Sequence, residues 1–95
     1  MVVRPRQIEV LRYIALYRLQ RGTGPTGREI AAEFGWTQGT EQFHLAILRR
    51  AEYLRRTPGA HRDVRVTDSG YRVLETAAVA KSIGHDIGIE FEDKA

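Results

Sequence analysis

Residues 22–37 constrain the fold most, because they stop and restart a helix twice within a short distance. The segment before them, residues 5–22, repeats apolar side chains at helical spacing and ends on a glycine, which predicts a first helix. The sequence TGRE that follows matches a capping box, in which a threonine and a glutamate satisfy each other's backbone amides. A second helix over residues 27–35 follows, and Thr37 can cap a third that runs to about Ala51. Two short helices joined by a glycine-containing turn predict a helix-turn-helix.

The stretch GTGPTG, residues 22–27, also satisfies the G-x-G-x-x-G pattern of dinucleotide-binding loops. That pattern requires a strand before its first glycine, because the turn must lift the chain from a sheet into a helix. Here the preceding segment is helical, and Pro25 removes a backbone N–H from a loop that would need such groups to bind phosphate. The sequence therefore favours a helix end, a turn and a new helix start over a nucleotide site.

The segment after the third helix predicts a two-stranded hairpin. YLRRT and VRVT are strand-like, and the intervening PGAHRD is rich in turn formers. A hairpin directly after a helix-turn-helix is a wing, and Asp68 can then cap a fourth helix over residues 69–83. The last segment, DIGIEFEDKA, alternates apolar and polar residues, which predicts a short docked strand; the alternative is a disordered acidic tail.

Together these elements predict a mainly α-helical fold with a small β-hairpin. It is a winged helix-turn-helix with a three-helix core, a two-stranded wing and an additional C-terminal helix. We expect residues 1–67 to form the winged helix-turn-helix domain and residues 68–95 to form a helix and acidic tail that could serve in dimerisation. Ala77, Ala78 and Ala80 motivate a homodimer, because small side chains let helices approach closely.

Charge is distributed unevenly along the chain. Residues 1–72 carry thirteen arginines and no lysine against seven carboxylates, whereas residues 73–95 carry two lysines against five carboxylates. A basic surface attracts phosphate backbones through Coulomb attraction and counterion release. The chain has no cysteine, which excludes thiol catalysis, and no apolar run near the roughly 20 residues that span a bilayer. We therefore expect a cytoplasmic protein without a membrane partner.

The third helix has two distinct faces when its residues are placed at roughly 100° intervals. Leu45 and Leu48 point toward the first two helices. The opposite arc carries polar or small residues, namely Gln38, Gly39, Gln42, Ala46, Arg49 and Arg50. Glutamine can bond adenine bidentately, small residues permit close approach, and arginine reaches guanine or phosphate. An ordinary solvated face is the alternative, but the place of this helix beside a basic wing favours the major groove of DNA.

Four residues of this region fit neither face well. Phe43 and Ile47 could pack under the fourth helix or the tail, or they could meet a thymine methyl group or a protein partner. Glu41 and Glu52 point close to the core stripe, so their carboxylates must reach solvent or find arginines.

The wing adds further cations. They are Arg55, Arg56, His61, Arg62 and Arg65. Arginines on a hairpin tip commonly follow phosphates or enter the minor groove. Catalysis is not expected, because His44, His61 and His85 are scattered without an acid at ligand or triad spacing. We predict no enzyme activity, no cofactor and no metal site.

From Arg6 to about Val66 the chain resembles the DNA-binding domain of LexA-type repressors. RQIEVLRYI, GTGPTGREIAAEFGW, HLAILRRAEYLRR and PGAHRDVRV follow that family's order, and G-x-x-P-T-x-x-E-I-A is a fairly specific element. The resemblance implies that the third helix enters the major groove of double-stranded DNA. It also implies that Gln42 and Phe43 occupy base-reading positions and that Arg28 lies near a backbone phosphate.

Three departures from that family matter. The turn before the recognition helix is one residue shorter. Glu52 stands where the family usually has a glycine, and a left-handed conformation there would be strained by about 1 kcal/mol. No catalytic serine–lysine domain follows, so neither self-cleavage nor the dimerisation that domain provides is expected. The segment VTDSGYRVLE, residues 66–75, is instead similar to the wing-to-helix junction of MarR-like regulators.

These observations predict a sequence-specific DNA-binding regulator of transcription, in particular a repressor. The expected DNA-contacting residues are Arg28, Thr37, Gln38, Thr40, Gln42, Phe43, Arg49, Arg50, His61 and Arg62. The alternative is a protein-interaction module on the same scaffold, such as a phage factor that binds the transcription machinery through Phe43, Ile47 or the acidic tail. A DNA binder without base preference is a third alternative.

Overall fold

The computed structural model describes residues 4–57, 59–60 and 62–82. The elements in chain order are α1 (Pro5–Arg21), α2 (Gly27–Phe34), α3 (Gln38–Arg50), β1 (Leu54–Arg55), β2 (Arg65–Val66) and α4 (Asp68–Ser82). This is the predicted winged helix-turn-helix, with each of the first three helices ending within about one residue of its expected bounds. The predicted strand in DIGIEFEDKA lies outside the described residues. None of the described helices has the length and apolar character needed to cross a membrane.

Helix α1 forms because its apolar residues share one face. Ile8, Leu11 and Ile14 are fully buried, and Pro5 occupies the start of the helix, where its missing N–H leaves no unpaired donor. Gly22 ends the helix with φ at 80°, a left-handed conformation that glycine adopts without steric cost. Its amide donates to the Arg18 carbonyl at 2.8 Å, which satisfies one of the free carbonyls at the helix end.

The start of helix α2 is the predicted capping box. The Glu29 amide donates to Thr26 Oγ1 at 3.1 Å, and the Thr26 amide donates to Glu29 Oε1 at 2.9 Å. The helix buries Ile30 and Ala31 and ends at Gly35. The two bonds at its start satisfy amides that no helix carbonyl can reach, which fixes the position of the first turn.

The residue that follows the end of helix α3 has the left-handed backbone conformation that the family resemblance suggested. Glu52 has φ at 68°. Its amide donates to the Arg49 carbonyl at 2.9 Å, and the Tyr53 amide donates to the Leu48 carbonyl at 2.9 Å. These two bonds form the Schellman motif, in which glycine is the usual left-handed residue.

The prediction that Asp68 caps helix α4 is wrong, because Thr67 occupies the cap position. Thr67 Oγ1 accepts a hydrogen bond from the Gly70 amide at 3.0 Å and donates one to the Glu52 carbonyl at 2.6 Å. A carboxylate could accept but could not donate, so only a hydroxyl satisfies both groups. Asp68 is instead the first residue of the helix.

The strands of the wing are shorter than the sequence suggested. They pair antiparallel with Leu54 opposite Val66 and Arg55 opposite Arg65. Leu54 and Val66 face the core and are buried, whereas both arginines are exposed. The wing therefore extends the core on one face and presents cations on the other.

Helix α4 shares the core of the other helices. Val73 and Ala77 belong to the same buried cluster as Ile8 and Leu11 of α1. Ala77 and Ala80 are buried within the chain, and Ala78 is exposed. The small side chains expected to contact a second copy thus mainly let α4 approach its own core.

Candidate nucleic-acid interface

Helix α3 divides into the two faces that its sequence predicted. Leu45 and Leu48 are each 1% exposed and pack in the core. The opposite face is exposed throughout and carries Gln38, Gly39, Gln42, Ala46, Arg49 and Arg50. A face with two glutamines, two small residues and two arginines offers bidentate hydrogen bonding, close approach and positive charge.

The first turn of α3 is fixed by two threonines. Thr37 Oγ1 accepts from the Thr40 amide at 3.2 Å and donates to Thr40 Oγ1 at 3.1 Å. Thr37 is exposed and Thr40 is half-buried. Thr37 therefore caps the helix through both bonds to Thr40, and the Thr40 hydroxyl proton remains available for an external acceptor.

Stacked rings hold α3 against the turn that precedes it. The His44 ring stacks on Trp36 with centroids 4.3 Å apart, and Trp36 stacks on Phe34 at 4.9 Å. Burial, and then the charge of Arg6, lower the pKa of His44, which favours the neutral imidazole. Sequence reasoning missed this role of His44; the aromatic residues on both sides of the turn were the available signal.

The two apolar residues that fitted neither face of α3 have different environments. Phe43 is 61% exposed, with its ring edge-on to His44 at 5.5 Å. Ile47 is half-buried. Phe43 is thus an apolar side chain presented next to Gln42 on the outer surface.

Glu41 does not reach solvent. It is 3% exposed, and its carboxylate lies so close to the first turn of α2 that a Cβ on Gly27 would come within 2.9 Å of Oε2. Burial raises the pKa of Glu41, and the charges of Arg56 and Arg49 lower it by less. The carboxylate faces the positive end of the α2 dipole, which offsets part of the cost of burial.

A cleft of about 360 Å³ lies between the first turn of α2 and the wing. Three arginines line it, namely Arg28, Arg56 and Arg62. Arg28 and Arg56 are exposed. The cleft therefore places positive charge on the side of the wing that faces α2.

The wing is closed by Asp63. Its carboxylate accepts from the Thr57 amide at 3.2 Å and pairs with Arg65 at 2.9 Å. These hydrogen bonds, that from Thr57 first, lower the pKa of Asp63 to about 2. Arg65 is therefore partly neutralised within the wing, whereas Arg55 on the neighbouring strand is exposed.

His61 and Arg62 are the two residues of the wing that were expected to contact DNA. His61 lies outside the described residues. Arg62 is described, and its guanidinium binds Glu29 through two hydrogen bonds of 2.9 and 3.1 Å. This pairing, followed by the Thr26 amide, lowers the pKa of Glu29 to about 2. Sequence reasoning found the Glu29 capping role but not its partner in the wing, because the two residues are far apart in the chain.

The glycines of GTGPTG have structural roles. Gly22 ends α1, as described above, and Gly27 leaves room for the Glu41 carboxylate. Gly24 is buried, and a Cβ there would lie 2.5 Å from the Val64 carbonyl oxygen. The connection between α1 and α2 is thus packed directly under the wing.

Comparison with protein families gives a match over most of the described chain. The protein-family model for the LexA DNA binding domain matches residues 3–63 of this chain. The LexA repressor of Geobacter metallireducens is 43% identical over 68 residues, which are 70% of this chain and 33% of that protein. LexA repressor 1 of Pseudomonas putida is 38% identical over 63 residues, which are 65% of this chain and 31% of that protein. The chain spans about a third of the length of these relatives.

Comparison with solved structures identifies the same architecture in a more distant protein. The crystal structure of an S. aureus MepR–DNA complex superposes with a TM-score of 0.68 at 22% identity. The match covers 85% of this chain and 59% of that one. At this identity the similarity supports the winged-helix fold, including helix α4, which lies beyond the residues matched by the family model.

Proposed function

The chain belongs to the LexA DNA-binding domain family, and on that basis we propose that it binds double-stranded DNA and represses transcription. The observation that carries the proposal is the outer face of α3, which is exposed, polar and ends in two arginines. Leu45 and Leu48 anchor the opposite face in the core, so the helix is held rigidly. A helix presented in this way fits the major groove of B-form DNA.

Contacts with base edges fall to the first half of α3. Gln38 and Gln42 are one turn apart on the exposed face. The side-chain amide of each can form two hydrogen bonds with the N6 and N7 groups of an adenine. The Thr40 hydroxyl donates to a base or phosphate, with Thr37 beside it at the helix start. Phe43 contacts a thymine methyl group, because its ring is exposed next to Gln42.

Contacts with phosphates fall to arginines around this helix. Arg49 and Arg50 extend from its last turn, and Arg28 from the first turn of α2. The wing adds Arg55 and Arg56, both exposed. Such contacts set the register of the protein on the duplex and carry most of the salt dependence.

Selection of bound duplexes from a random pool tests the proposal. The wild-type protein should enrich one motif, and Gln42→Ala should relax the preference at one position of it, while Gln20→Ala on α1 is the matched control and should not. A pool that shows no enrichment while retaining salt-dependent binding would indicate a DNA binder without base preference.

Salt titration on the selected duplex separates the phosphate contacts. Arg49→Ala should reduce the slope of log K against log salt by about 0.9, because one phosphate contact is lost. Arg72→Ala, an exposed arginine on α4, should leave that slope unchanged. Binding insensitive to salt would contradict DNA recognition and favour the alternative function below.

We also infer a homodimer on the operator. Val79 is 60% exposed and Ala78, next to it in sequence, is also exposed, so two apolar side chains of α4 face solvent. Sedimentation at micromolar protein, alone and with the selected duplex, should show two copies, and Val79→Glu should return the protein to one copy. A wild-type monomer in both conditions would refute the dimer.

The second candidate function is a protein-interaction module that binds the transcription machinery. The exposure of Phe43 supports it, because a large apolar side chain on the surface suits a protein partner. In that case Phe43→Ala would abolish binding to the partner, and neither Gln42→Ala nor salt would have much effect.

A further inference from the structure

The wing loop is attached to the helices through Arg62. This residue has φ at 54°, a left-handed conformation that is uncommon outside glycine and is kept only where the surroundings hold it. Its carbonyl accepts a hydrogen bond from the Gly24 amide at 2.9 Å. The backbone of the loop is therefore tied to the connection between α1 and α2.

The side chain of Arg62 forms a second attachment. Its Nη1 and Nη2 donate to Glu29 Oε1 and Oε2 at 2.9 and 3.1 Å, the parallel arrangement in which arginine and carboxylate pair most strongly. Nη1 also donates to Tyr17 Oη at 2.8 Å, and Tyr17 Oη donates to Glu29 Oε1 at 3.1 Å. One residue each from α1, α2 and the wing thus form a closed set of hydrogen bonds.

This arrangement leaves Arg62 poorly suited to bind a phosphate. Glu29 already occupies both terminal nitrogens and offsets much of the guanidinium charge, so a phosphate would gain less from Arg62 than from an arginine without a carboxylate partner. Arg28, Arg56 and Arg62 all line the cleft and are all exposed, but among the described residues Arg62 is the one of the three that pairs with a carboxylate. The positions of Arg28 and Arg56 relative to each other depend on how the wing sits against the first turn of α2.

We propose, on the basis of the DNA-binding function above, that Arg62 is a positioning residue rather than a DNA contact. It pairs with Glu29 and holds the wing against α2, so that Arg28 and Arg56 meet one phosphate backbone together. Glu29 has a second role in capping α2, and the two roles can be separated. Glu29→Gln keeps the acceptor that the Thr26 amide needs, since glutamine also completes a capping box, but it loses the charge that pairs with Arg62.

Hydrogen exchange of the free protein tests the attachment without DNA. In Glu29→Gln and in Arg62→Gln, the Gly24 amide should exchange about tenfold faster, because the wing opens locally more often. Glu9→Gln is the matched control: it breaks the Arg6–Glu9 pair at 2.9 Å on α1 and should leave Gly24 unchanged. Unchanged exchange at Gly24 in both wing variants overturns the proposal.

Measurements of DNA affinity then distinguish a positioning role of Arg62 from a direct contact between Arg62 and a phosphate. Glu29→Gln, Arg62→Gln and the double variant should all weaken binding to the selected duplex by one common factor of about 5 to 10, with the salt slope unchanged. If Arg62 contacts a phosphate, Arg62→Gln alone weakens binding and lowers the slope by about 0.9, which overturns the proposal. Circular dichroism at the assay temperature establishes that each variant is folded.

The two proposals fail in different ways. A wild-type protein that binds no duplex refutes the DNA-binding function, and the exchange of Gly24 still decides whether Arg62 and Glu29 hold the wing. A wild-type protein that binds DNA, with all three variants binding equally well, refutes only the positioning role.

Discussion

Glu52 holds a backbone conformation that its side chain disfavours. At φ 68° the Cβ of an L-residue crowds the following carbonyl, at a cost of about 1–2 kcal/mol, and glycine avoids this contact. The surrounding hydrogen bonds involve only the backbone of Glu52, including the bond from Thr67 Oγ1 to its carbonyl. Glycine at position 52 would therefore keep every hydrogen bond at the end of α3.

We expect Glu52→Gly to raise the free energy of unfolding by about 0.5–1 kcal/mol, since relief of strain exceeds the greater flexibility of glycine in the unfolded chain. Urea unfolding followed by circular dichroism measures the change. Glu52→Ala keeps a Cβ and should give little gain. An equal gain from alanine would mean that the carboxylate, and not the backbone, is the source of the cost.

Glu41 should make stability depend on pH. Its pKa is raised from the ordinary 4.5 by burial, so the folded state favours the protonated form. The contribution of this group is complete below pH 4.5 and is lost as pH rises through the folded pKa. We expect Glu41→Gln to be more stable than the wild type at pH 7, with the difference shrinking as pH falls toward 4. Thermal unfolding across this range measures it.

The matched control for Glu41 is Glu33→Gln, at an exposed position on α2. It should show no comparable gain at pH 7. A Glu41→Gln variant less stable than the wild type at pH 7 would indicate that the charge interaction with the start of α2 outweighs burial.

At the scale of elements, the cap of α4 also joins that helix to the end of α3. Thr67 Oγ1 links the Gly70 amide to the Glu52 carbonyl, so one hydroxyl serves two elements. We expect Thr67→Ala to lower the free energy of unfolding by about 1–2 kcal/mol, as for other lost helix caps. Asp68→Ala should cost less, about 0.3–1 kcal/mol, because it removes only a charge near the helix start. Chemical denaturation of both variants compares them, and the reverse order would restore Asp68 as the cap.

The helices were predictable from the sequence because the residues that end them act locally. Helices α1 and α2 end at Gly22 and Gly35, and α2 starts at the Thr26–Glu29 capping box. The spacing of Leu45 and Leu48 among polar residues indicated which face of α3 is buried. The wing was less predictable. Its strands are only two residues long, and Arg62 between them pairs with Glu29, a contact between residues distant in the chain that no local pattern encodes. For the same reason the sequence did not indicate that Arg62 pairs with Glu29; the expected contact of Arg62 with DNA stays a prediction.

At the scale of the whole molecule, the wing and the α1–α2 connection meet without space between them. A Cβ on Gly24 would lie 2.5 Å from the Val64 carbonyl oxygen, which belongs to backbone that cannot yield easily. We expect Gly24→Ala to lower the free energy of unfolding by about 1–3 kcal/mol, as overpacking does elsewhere. Gly39→Ala, where a Cβ meets open space, should leave stability unchanged or raise it by up to about 1 kcal/mol. Thermal unfolding of the pair measures the contrast, and equal effects would contradict it.

The seating of the wing on the α1–α2 connection limits how the domain can be re-engineered. This wing would seat in a relative only where the recipient has a glycine at the position of Gly24 and a carboxylate at the position of Glu29. A successful transplant therefore has to carry residues 22–29 together with residues 54–66, as one cassette. Changes of length in either segment should be tolerated only when the other is redesigned with it.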